Sequence, residues 1–322
     1  MQTEKKRSEH LIDPEVKGIL DVMGSMNMSQ ESYLMIREQF KAVESNVTEK
    51  YNVELEEIYI DNYFDDTKVR LLVIKPKNKT TEKHPLFYSI HGGGMIIGNP
   101  ELDNEFHAFL AHNYNFIGVS VDYRLAPENS QPAQLHDCYS GIKWCIDNAL
   151  NLNIDKDKVA VSGGSAGAGL AGGLALYIRD QKEFAIHHLR LLIPMLDDRT
   201  AAGEPSPYNG EYAWTNENNY FGWKSVLKKE PGSEGISPYY SPARAESLVG
   251  LPSTYLSVGA IELFAEETLN FAKRLIREGV PTELHMYPGY HHLAFNVPEA
   301  YHSKREAENH LNALLRALNI EK

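Results

Sequence analysis

One short stretch of the chain could supply a nucleophile. In VAVSGGSAGAGLAGG, Ser165 stands at the centre of Gly163-Gly164-Ser165-Ala166-Gly167, which fits G-x-S-x-G, the pattern of a serine on a sharp strand-to-helix turn. Such a turn strains the serine backbone and brings strand and helix so close that a side chain at Gly163 or Gly167 would collide. The N-terminal end of the following helix would stabilise negative charge that develops near Ser165. The same pattern is also compatible with a glycine-rich turn that binds a phosphate or only packs.

A second stretch could supply the groups that bind a developing oxyanion. His91-Gly92-Gly93-Gly94 follows directly after the apolar residues PLFYSI. Three consecutive glycines leave backbone N–H groups free to point at a ligand oxygen, as the tetrahedral intermediate of acyl transfer requires. We predict an oxyanion hole formed by Gly92, Gly93 and the backbone N–H of Ala166. His91 is predicted to order this loop, because the catalytic base comes late in the chain when the nucleophile stands on such a turn.

The elements that would position both stretches alternate between strands and helices. Eight segments have the patterning of strands: LEEIYI, KVRLLVI, PLFYSI, FIGVSV, KVAVSG, HLRLLIPML, STYLSV and TELHMY. From residue 84 onward predicted helices alternate with them, at about 101–113, 134–149, 166–180, 262–278 and 298–318. This alternation predicts a mostly parallel sheet covered on both faces, with the first two strands as an antiparallel start.

Two further regions have a different character. Residues 1 to about 48 are predicted to be helical, with Asp13 as an N-cap before Pro14 and a second helix that begins at Ser29. Residues 199–250 are rich in Pro, Gly, Ser, Tyr and Asn and contain one predicted helix near 216–228. We interpret them as an insertion that lies over the edge of the sheet. Pocket shape would depend on its aromatic residues, whose positions the sequence leaves open: Tyr208, Tyr212, Trp214 and Phe221.

Composition argues against several classes of protein. The 322-residue chain contains 42% hydrophobic and 24% charged residues, as ordinary globular proteins do, and its formal net charge is −12. That charge argues against a nucleic-acid partner and an anionic membrane surface. No window of about 18 apolar residues predicts a membrane span, and the charged N-terminus lacks the apolar core of a secretory signal. Cys138 and Cys145 lie two helical turns apart, roughly 10 Å, which is too far for a disulfide. We therefore expect reduced thiols and a cytoplasmic protein.

A series of motifs in a fixed order resembles the hormone-sensitive-lipase family of α/β-hydrolases, whose bacterial members are carboxylesterases. The motifs are HGGGM, DYRLAPE at 122–128, GGSAG, PMLDDR at 194–199, SPARAESLVGLPSTYLSVGAIELFAEE at 241–267 and YPGYHH at 287–292. They span most of residues 50–320, and together they are far more specific than G-x-S-x-G alone.

The resemblance implies the α/β-hydrolase fold, a mostly parallel eight-stranded sheet flanked by helices, with a helical cap. It divides the chain into N-terminal cap helices (1–48), the first part of the core (49–198), a cap insertion (199–228) and the second part of the core (229–322). It also implies that Asp122, Arg124 and Glu128 brace the oxyanion loop through ion pairs and have no chemical role.

The catalytic base must follow Ser165, because the α/β-hydrolase order is Ser, acid, His. His291 and His292 come in a loop after the last predicted strand, where an imidazole can reach the serine. The family motif has its histidine three residues after a glycine, which gives His292, whereas the usual spacing from Pro298 favours His291. We predict His292 as the base, with His291 as the alternative. Other late histidines are predicted to precede a strand (His187 and His188), to pack inside one (His285) or to be solvated on a polar helix (His302 and His310).

The orienting acid is predicted to be a glutamate. The family usually places an aspartate after the strand that ends in VG, and here the first carboxylate after that strand is Glu262, at about the usual interval before His292. A glutamate can orient and stabilise an imidazolium as an aspartate does. Asp197 and Asp198 are the alternatives, although we expect them to anchor their loop to the cap with Arg199. Two later carboxylates are predicted to be solvated on the following helix: Glu266 and Glu267.

Together these residues predict a serine carboxylesterase that hydrolyses short- to medium-chain acyl esters through an acyl-enzyme. Two other functions stay open. One is an inactive small-ligand-binding protein on the same fold, as in the gibberellin receptors, which resemble this family but lack the catalytic histidine. The other is an amidase or peptidase with the same triad. No cofactor and no metal is expected, since the HH pairs lack a third ligand at recognisable spacing and no dinucleotide fingerprint occurs. A small-molecule ester is the expected partner, and a homodimer stays open.

Overall fold

A computed structural model describes residues 6–23, 27–40, 46–77, 82–204 and 206–321. The strands are β1 (Val53–Asp61), β2 (Lys68–Pro76), β3 (His84–Ile90), β4 (Ile117–Asp122), β5 (Ile154–Gly164), β6 (His188–Leu192), β7 (Ser253–Gly259) and β8 (Thr282–Tyr287). The helices are α1 (Pro14–Lys17), α2 (Ile19–Met23), α3 (Tyr33–Gln39), α4 (Val47–Lys50), α5 (Asn104–Tyr114), α6 (Ala133–Asp147), α7 (Ala149–Leu152), α8 (Ala166–Gln181), α9 (Arg199–Ala202), α10 (Asn216–Leu227), α11 (Ala265–Arg277) and α12 (Tyr301–Ala317).

The described strands form one eight-stranded sheet in the order β1-β2-β4-β3-β5-β6-β7-β8. Strand β2 is antiparallel to both of its neighbours, and all other pairs are parallel, as the alternation of strands and helices predicted. Every residue of β3 is buried. Because successive side chains of a strand point to opposite faces, this unbroken burial shows that the centre of the sheet is covered on both faces.

The carboxyl ends of the parallel strands meet at one edge of the sheet, and the chemically interesting loops leave from there. The loop 91–98 follows β3, Ser165 follows β5, and the loops 260–264 and 288–293 follow β7 and β8. One strand was predicted too long: β6 ends at Leu192, because Ile193 has a left-handed backbone with φ 41° and directs the chain out of the sheet. The parallel sheet thus gathers residues that are far apart in sequence.

The N-terminal region forms short helices. Asp13 caps α1 as predicted, since its carboxylate accepts a hydrogen bond from the Glu15 N–H before Pro14 enters the first turn. The prediction that the next long helix begins at Ser29 is wrong, because α3 begins at Tyr33. Ser29 N–H donates to the Ser32 hydroxyl (3.0 Å), and this local turn precedes the helix. The predicted helical stretches at 24–26 and 41–45, and residues 1–5, lie outside the described residues.

The N-terminal region and the insertion pack against each other near the carboxyl edge of the sheet. Met28 N–H donates to the buried Asn218 Oδ1 (2.8 Å), and the Ser8 hydroxyl donates to Glu211 (2.5 Å). The insertion in turn contacts the loop after β7, where Gly210 N–H donates to the Ile261 carbonyl at 3.1 Å. These contacts fit the predicted cap, whose boundaries stay a prediction.

Two smaller expectations can be compared with the structure. Cys138 and Cys145 both lie in α6 and are buried free thiols.

In the part of the chain that the structure describes, no helix is long and apolar enough to cross a bilayer.

Candidate active site

Ser165 occupies the sharp turn between β5 and α8. Its backbone has φ 54° and ψ −119°, a region that non-glycine residues rarely adopt. A Cβ at Gly163 would overlap the backbone of Gly167, and a Cβ at Gly167 would overlap the carbonyl of Ile90, as the sequence predicted. Because these two glycines have no side chains, the backbones of β5, α8 and β3 can contact one another directly beneath the serine.

A continuous hydrogen-bonded chain joins three of the residues singled out from the sequence. Ser165 Oγ lies 2.9 Å from His292 Nε2, and His292 Nδ1 lies 3.0 Å from Glu262 Oε2. All three side chains are buried, and Glu262 is completely excluded from solvent. The other oxygen of Glu262 accepts a hydrogen bond from Phe264 N–H at 3.1 Å, which fixes the orientation of the carboxylate. This geometry allows the imidazole to take a proton from the serine hydroxyl while the carboxylate holds the ring.

His291, the alternative base, points elsewhere. Its Nε2 lies 3.2 Å from the backbone carbonyl of Val16 in α1, so that the ring joins the N-terminal region to the loop after β8. The side chain is fully buried, and burial lowers its pKa below the usual range. One histidine of the pair therefore lies beside the serine and the other against the N-terminal region.

The glycine loop after β3 lies against the nucleophile. A Cβ at Gly92 would be 3.5 Å from the Ser165 Cβ and 2.9 Å from the Gly164 carbonyl. Gly93 has φ 112°, a conformation that a side chain would strain. Ala166 is the first residue of α8, so its N–H has no acceptor within that helix. Gly92 and Ala166 thus lie beside the serine, and Gly93 lines the same cavity as Ser165.

His91 has the environment of a residue that orders this loop. Its Nδ1 donates to the Gly92 carbonyl at 2.8 Å, and its ring stacks on Tyr123 with 4.2 Å between the centroids. The Tyr123 hydroxyl donates to the His91 carbonyl at 2.9 Å. Burial lowers the pKa of His91 to about 4, so that the ring is neutral at pH 7.

The three charged residues of DYRLAPE pair with different partners. The Asp122 carboxylate forms an ion pair with Arg70 (3.1 Å). Arg124 binds the buried Asp137 through several hydrogen bonds, the shortest of 2.7 Å. Of the three, only Glu128 is linked to the oxyanion loop, through Arg37 of α3, which also binds the Ile96 carbonyl. The implied brace by all three residues is therefore wrong in detail, because Asp122 and Arg124 tie their own segment to β2 and α6.

The alternative acids Asp197 and Asp198 are not near His292 in the hydrogen-bond network. Asp197 forms a two-pronged pair with Arg199, as predicted. Asp198 does not share that partner: it is fully buried and binds Arg244 (2.8 Å) and Gly232 N–H (2.7 Å). Burial acts to raise the pKa of Asp198, but these hydrogen bonds outweigh it and hold the pKa below 3.8. Both carboxylates therefore stabilise the loop after β6.

Replacing Asp198 with asparagine is expected to lower the free energy of unfolding by about 3 kcal/mol, because the charge of Arg244 loses its buried partner. The pair stabilises the fold above pH 3.8, the ordinary pKa, and this contribution disappears as the pH falls through the lowered value. Urea unfolding measures the effect. Asp197→Asn is the matched control: its partner Arg199 is 53% exposed, and we expect a loss below about 1 kcal/mol. Equal losses in the two variants would contradict this expectation.

Two residues predicted to be solvated are buried instead. Glu267 accepts hydrogen bonds from Leu196 N–H (2.6 Å) and from the Thr200 hydroxyl, and burial raises its pKa well above the usual range. His310 lies under the sheet, where its Nδ1 is 3.1 Å from the buried Glu306. The prediction failed for both because each is a polar residue on the inward face of an amphipathic helix. Glu266 is exposed, as predicted.

A cavity of about 320 Å³ opens onto Ser165 and His292. Its other lining residues are Phe40, Gly92, Gly93, Gly94, Ile97, Gly98, Leu102, Gly164, Ile193, Trp214, Leu293, Phe295 and Asn296. A wider cleft of about 680 Å³ lies between the Asp197 loop and α11, and neither Ser165 nor His292 lines it. The apolar lining and the presence of Ser165 make the smaller cavity the candidate substrate-binding site.

Trp214 forms one wall of this cavity. Its indole lies against Gly94, where a Cβ would overlap the ring, and its centroid is 6.1 Å from that of His292. The indole N–H points to Asn219 Oδ1 at 3.4 Å in α10. Of the four aromatic residues named from the sequence, Tyr208 is largely exposed, Tyr212 approaches His291, and Phe221 packs on Tyr33.

No metal centre competes with this site: among the described residues, no group of three or more histidines, cysteines or carboxylates is arranged to hold an ion.

Known proteins share this architecture. A family model described as alpha/beta hydrolase fold matches residues 87–296. An arylesterase from Saccharolobus solfataricus is 28% identical over 310 residues, which cover 95% of this chain and 98% of that protein. The solved structure of a bacterial heroin esterase aligns with a TM-score of 0.86 at 31% identity, over 96% of this chain and 98% of its own. Esterase LipW from Mycobacterium marinum aligns with a TM-score of 0.81 at 30% identity, over 97% and 98% of the two chains.

The family match spans well over half of the chain, and the solved structures are similar along almost all of it. The chain therefore belongs to the α/β-hydrolase fold family, in its hormone-sensitive-lipase-like branch. Several of its relatives are named esterases or carboxylic ester hydrolases, and the enzyme is a carboxylic ester hydrolase.

Proposed function

We propose that the enzyme hydrolyses short- to medium-chain acyl esters through a Ser165-His292-Glu262 triad. The observation that carries this proposal is the unbroken chain of hydrogen bonds from Glu262 to Ser165, with distances of 3.0 and 2.9 Å. Ser165 Oγ attacks the ester carbonyl carbon while His292 Nε2 accepts the hydroxyl proton. Glu262 holds the imidazole and stabilises the imidazolium that forms.

The remaining steps follow from the same atoms. The carbonyl oxygen becomes an oxyanion, for which the backbone N–H groups of Gly92, Gly93 and Ala166 are the proposed donors. His292 returns its proton to the leaving alcohol as the tetrahedral intermediate collapses to an acyl-enzyme. Water then attacks the acyl carbonyl, His292 accepts a proton from it, and the second collapse releases the acid and regenerates Ser165 with its proton.

The size of the cavity supports the proposed substrate class. A volume of about 320 Å³ is near the lower end of ligand-binding sites, which favours compact esters over long-chain lipids. A panel of nitrophenyl esters from acetate to decanoate tests this, and we expect kcat/KM to be highest for short chains. A monotonic rise of kcat/KM toward decanoate would contradict the proposed chain-length preference and leave ester hydrolysis itself intact.

Trp214→Leu is expected to shift that preference toward longer acyl chains, because the smaller side chain enlarges the cavity beside Gly94. One methylene in an apolar pocket changes kcat/KM by about tenfold or more, so we expect the octanoate-to-butyrate ratio to rise by about tenfold. The same ester panel measures this ratio. Tyr208→Leu removes a largely exposed aromatic residue of the same insertion and should leave the ratio unchanged. If both variants keep the original ratio, Trp214 does not limit chain length.

The geometry favours catalysis over mere ligand binding, because His292 is present and within hydrogen-bonding distance of Ser165. Comparing a butyrate ester with the matched anilide measures any amidase activity. The cytoplasmic location and the homodimer stay predictions.

A further inference from the structure

One arginine of the N-terminal region reaches into the core of the enzyme. Arg37, in α3, donates from Nε to the Ile96 carbonyl at 2.8 Å and from Nη2 to the Ala126 carbonyl at 2.7 Å. Nη1 and Nη2 also donate to the two carboxylate oxygens of Glu128, at 2.9 and 3.0 Å. The planar guanidinium thus uses four of its five N–H groups on two segments of the core.

The first of these segments is the glycine loop itself. Ile96 N–H and Ile97 N–H both donate to the Gly93 carbonyl at 3.0 Å, which closes a tight turn. Met95 lies in this turn with φ 62°, an unfavourable conformation for a residue with a side chain. Its carbonyl accepts from Ala126 N–H at 2.9 Å. Arg37 therefore binds Ile96, which lies in this strained turn, and also Ala126, which is hydrogen-bonded to the turn through Met95.

We propose that Arg37 is a positioning residue for the oxyanion hole: by holding Ile96 and Ala126 it keeps the backbone N–H groups of Gly92 and Gly93 directed at the reacting oxygen. This inference rests on the proposed roles of those two glycines. Arg37 itself touches none of the reacting atoms. The N-terminal region then acts on the chemical step, in addition to any effect on which substrates enter.

The position of Arg37 indicates that it contributes more to geometry than to stability. Its side chain is 24% exposed and that of Glu128 is 44% exposed, and ion pairs of this kind stabilise a fold by less than about 1 kcal/mol. A small displacement of a catalytic group, in contrast, can cost about 10²-fold in rate. Loss of Arg37 should therefore leave a folded enzyme whose oxyanion donors are poorly placed.

Kinetics of Arg37→Met and Arg37→Lys test the proposal. We expect kcat to fall by about 10- to 100-fold in Arg37→Met with little change in KM. The inhibition constant of a trifluoromethyl ketone, which forms a tetrahedral adduct with the serine, should rise by the same factor as kcat/KM falls. Inhibition by the corresponding methyl ketone should not change. Arg37→Lys keeps the charge beside Glu128 but cannot reproduce the planar fork, and it should lose less activity than Arg37→Met.

Two control variants separate this effect from the loss of a charge. Glu128→Gln removes the ion pair but leaves Ile96 and Ala126 bound, so kcat should fall by less than about threefold. Arg199→Lys makes the same chemical change at an arginine paired with Asp197, outside the oxyanion loop, and should leave kcat unchanged.

The proposal is overturned if folded Arg37 variants keep wild-type kcat, or if they raise KM alone. It is also overturned if both Arg37 variants fail to fold, since Arg37 would then be required for stability. A failure of the proposed triad would be recognised separately, because an organophosphate would then not label Ser165 in the wild-type enzyme. Labelled Ser165 together with unaffected Arg37 variants would refute only the role of Arg37.

Discussion

Ser165→Ala is expected to remove nearly all esterase activity while the protein stays folded. The serine hydroxyl is the atom that would form the acyl-enzyme, and triad residues act as a unit, so that loss of the nucleophile costs about 10⁶-fold in kcat in a comparable hydrolase. The fold should survive because alanine fits the same small space. Turnover of a nitrophenyl butyrate and a thermal unfolding curve measure the two expectations.

Labelling provides an independent test of the same residue. An organophosphate should add to Ser165 in the wild-type enzyme, and mass spectrometry should find no adduct in Ser165→Ala. The two adjacent histidines offer a matched pair, because His292→Ala removes the proposed base whereas His291→Gln keeps the base and loses the ring contacts with Val16 and Tyr212. We expect His291→Gln to keep most activity. Labelling elsewhere with activity intact, or equal losses in the two histidine variants, would refute the assignment.

Glu262→Gln is expected to lower kcat by about 10⁴-fold without unfolding the protein, by analogy with the same change in another triad. One oxygen of Glu262 accepts from Phe264 N–H, so the carbonyl of a glutamine would take that place. Its NH₂ group would then face His292 Nδ1 and donate to it. The proton of the imidazole would move to Nε2, which could no longer accept the proton of Ser165. Steady-state kinetics and circular dichroism measure the two expectations.

Glu262→Asp tests how the length of the acidic side chain affects catalysis, without changing its charge. Shortening the side chain by one methylene withdraws the carboxylate by roughly 1.5 Å, and such a misplacement can cost about 10²-fold. We therefore expect a smaller loss than in Glu262→Gln, although aspartate is the usual residue of the resembled family. If both Glu262 variants keep wild-type kcat while Asp197→Asn or Asp198→Asn abolishes activity, the acid lies after β6.

Much of the architecture could be predicted because it depends on local patterns. Apolar runs bounded by turn residues located the eight strands of the described residues within a few positions, and the glycines around Ser165 predicted a close approach of backbones that the structure shows. The order of the motifs then selected three residues that form one hydrogen-bonded chain through His292.

Other features depend on tertiary packing and could not be predicted. Glu267 and His310 are exceptions: each stands four residues before a buried apolar residue of its own helix, Phe271 and Leu314, so the helical period indicates that they point inward although they are polar. Trp214 was one of several aromatic residues in an insertion without periodicity, so nothing local distinguished it as a cavity wall. Arg37 had no motif at all, because its partners are backbone carbonyls, which leave no signature in a sequence.

The N-terminal region touches both halves of the proposed catalytic machinery. Val16 holds His291 in the loop of the base, and Arg37 holds the turn that begins at Gly93. This region is therefore not an interchangeable module. A chimaera that receives the N-terminal region of a relative would replace the residues that contact both loops at once. Engineering of this enzyme is better directed to its other terminus, because no residue of α12 is proposed to take part in the reaction.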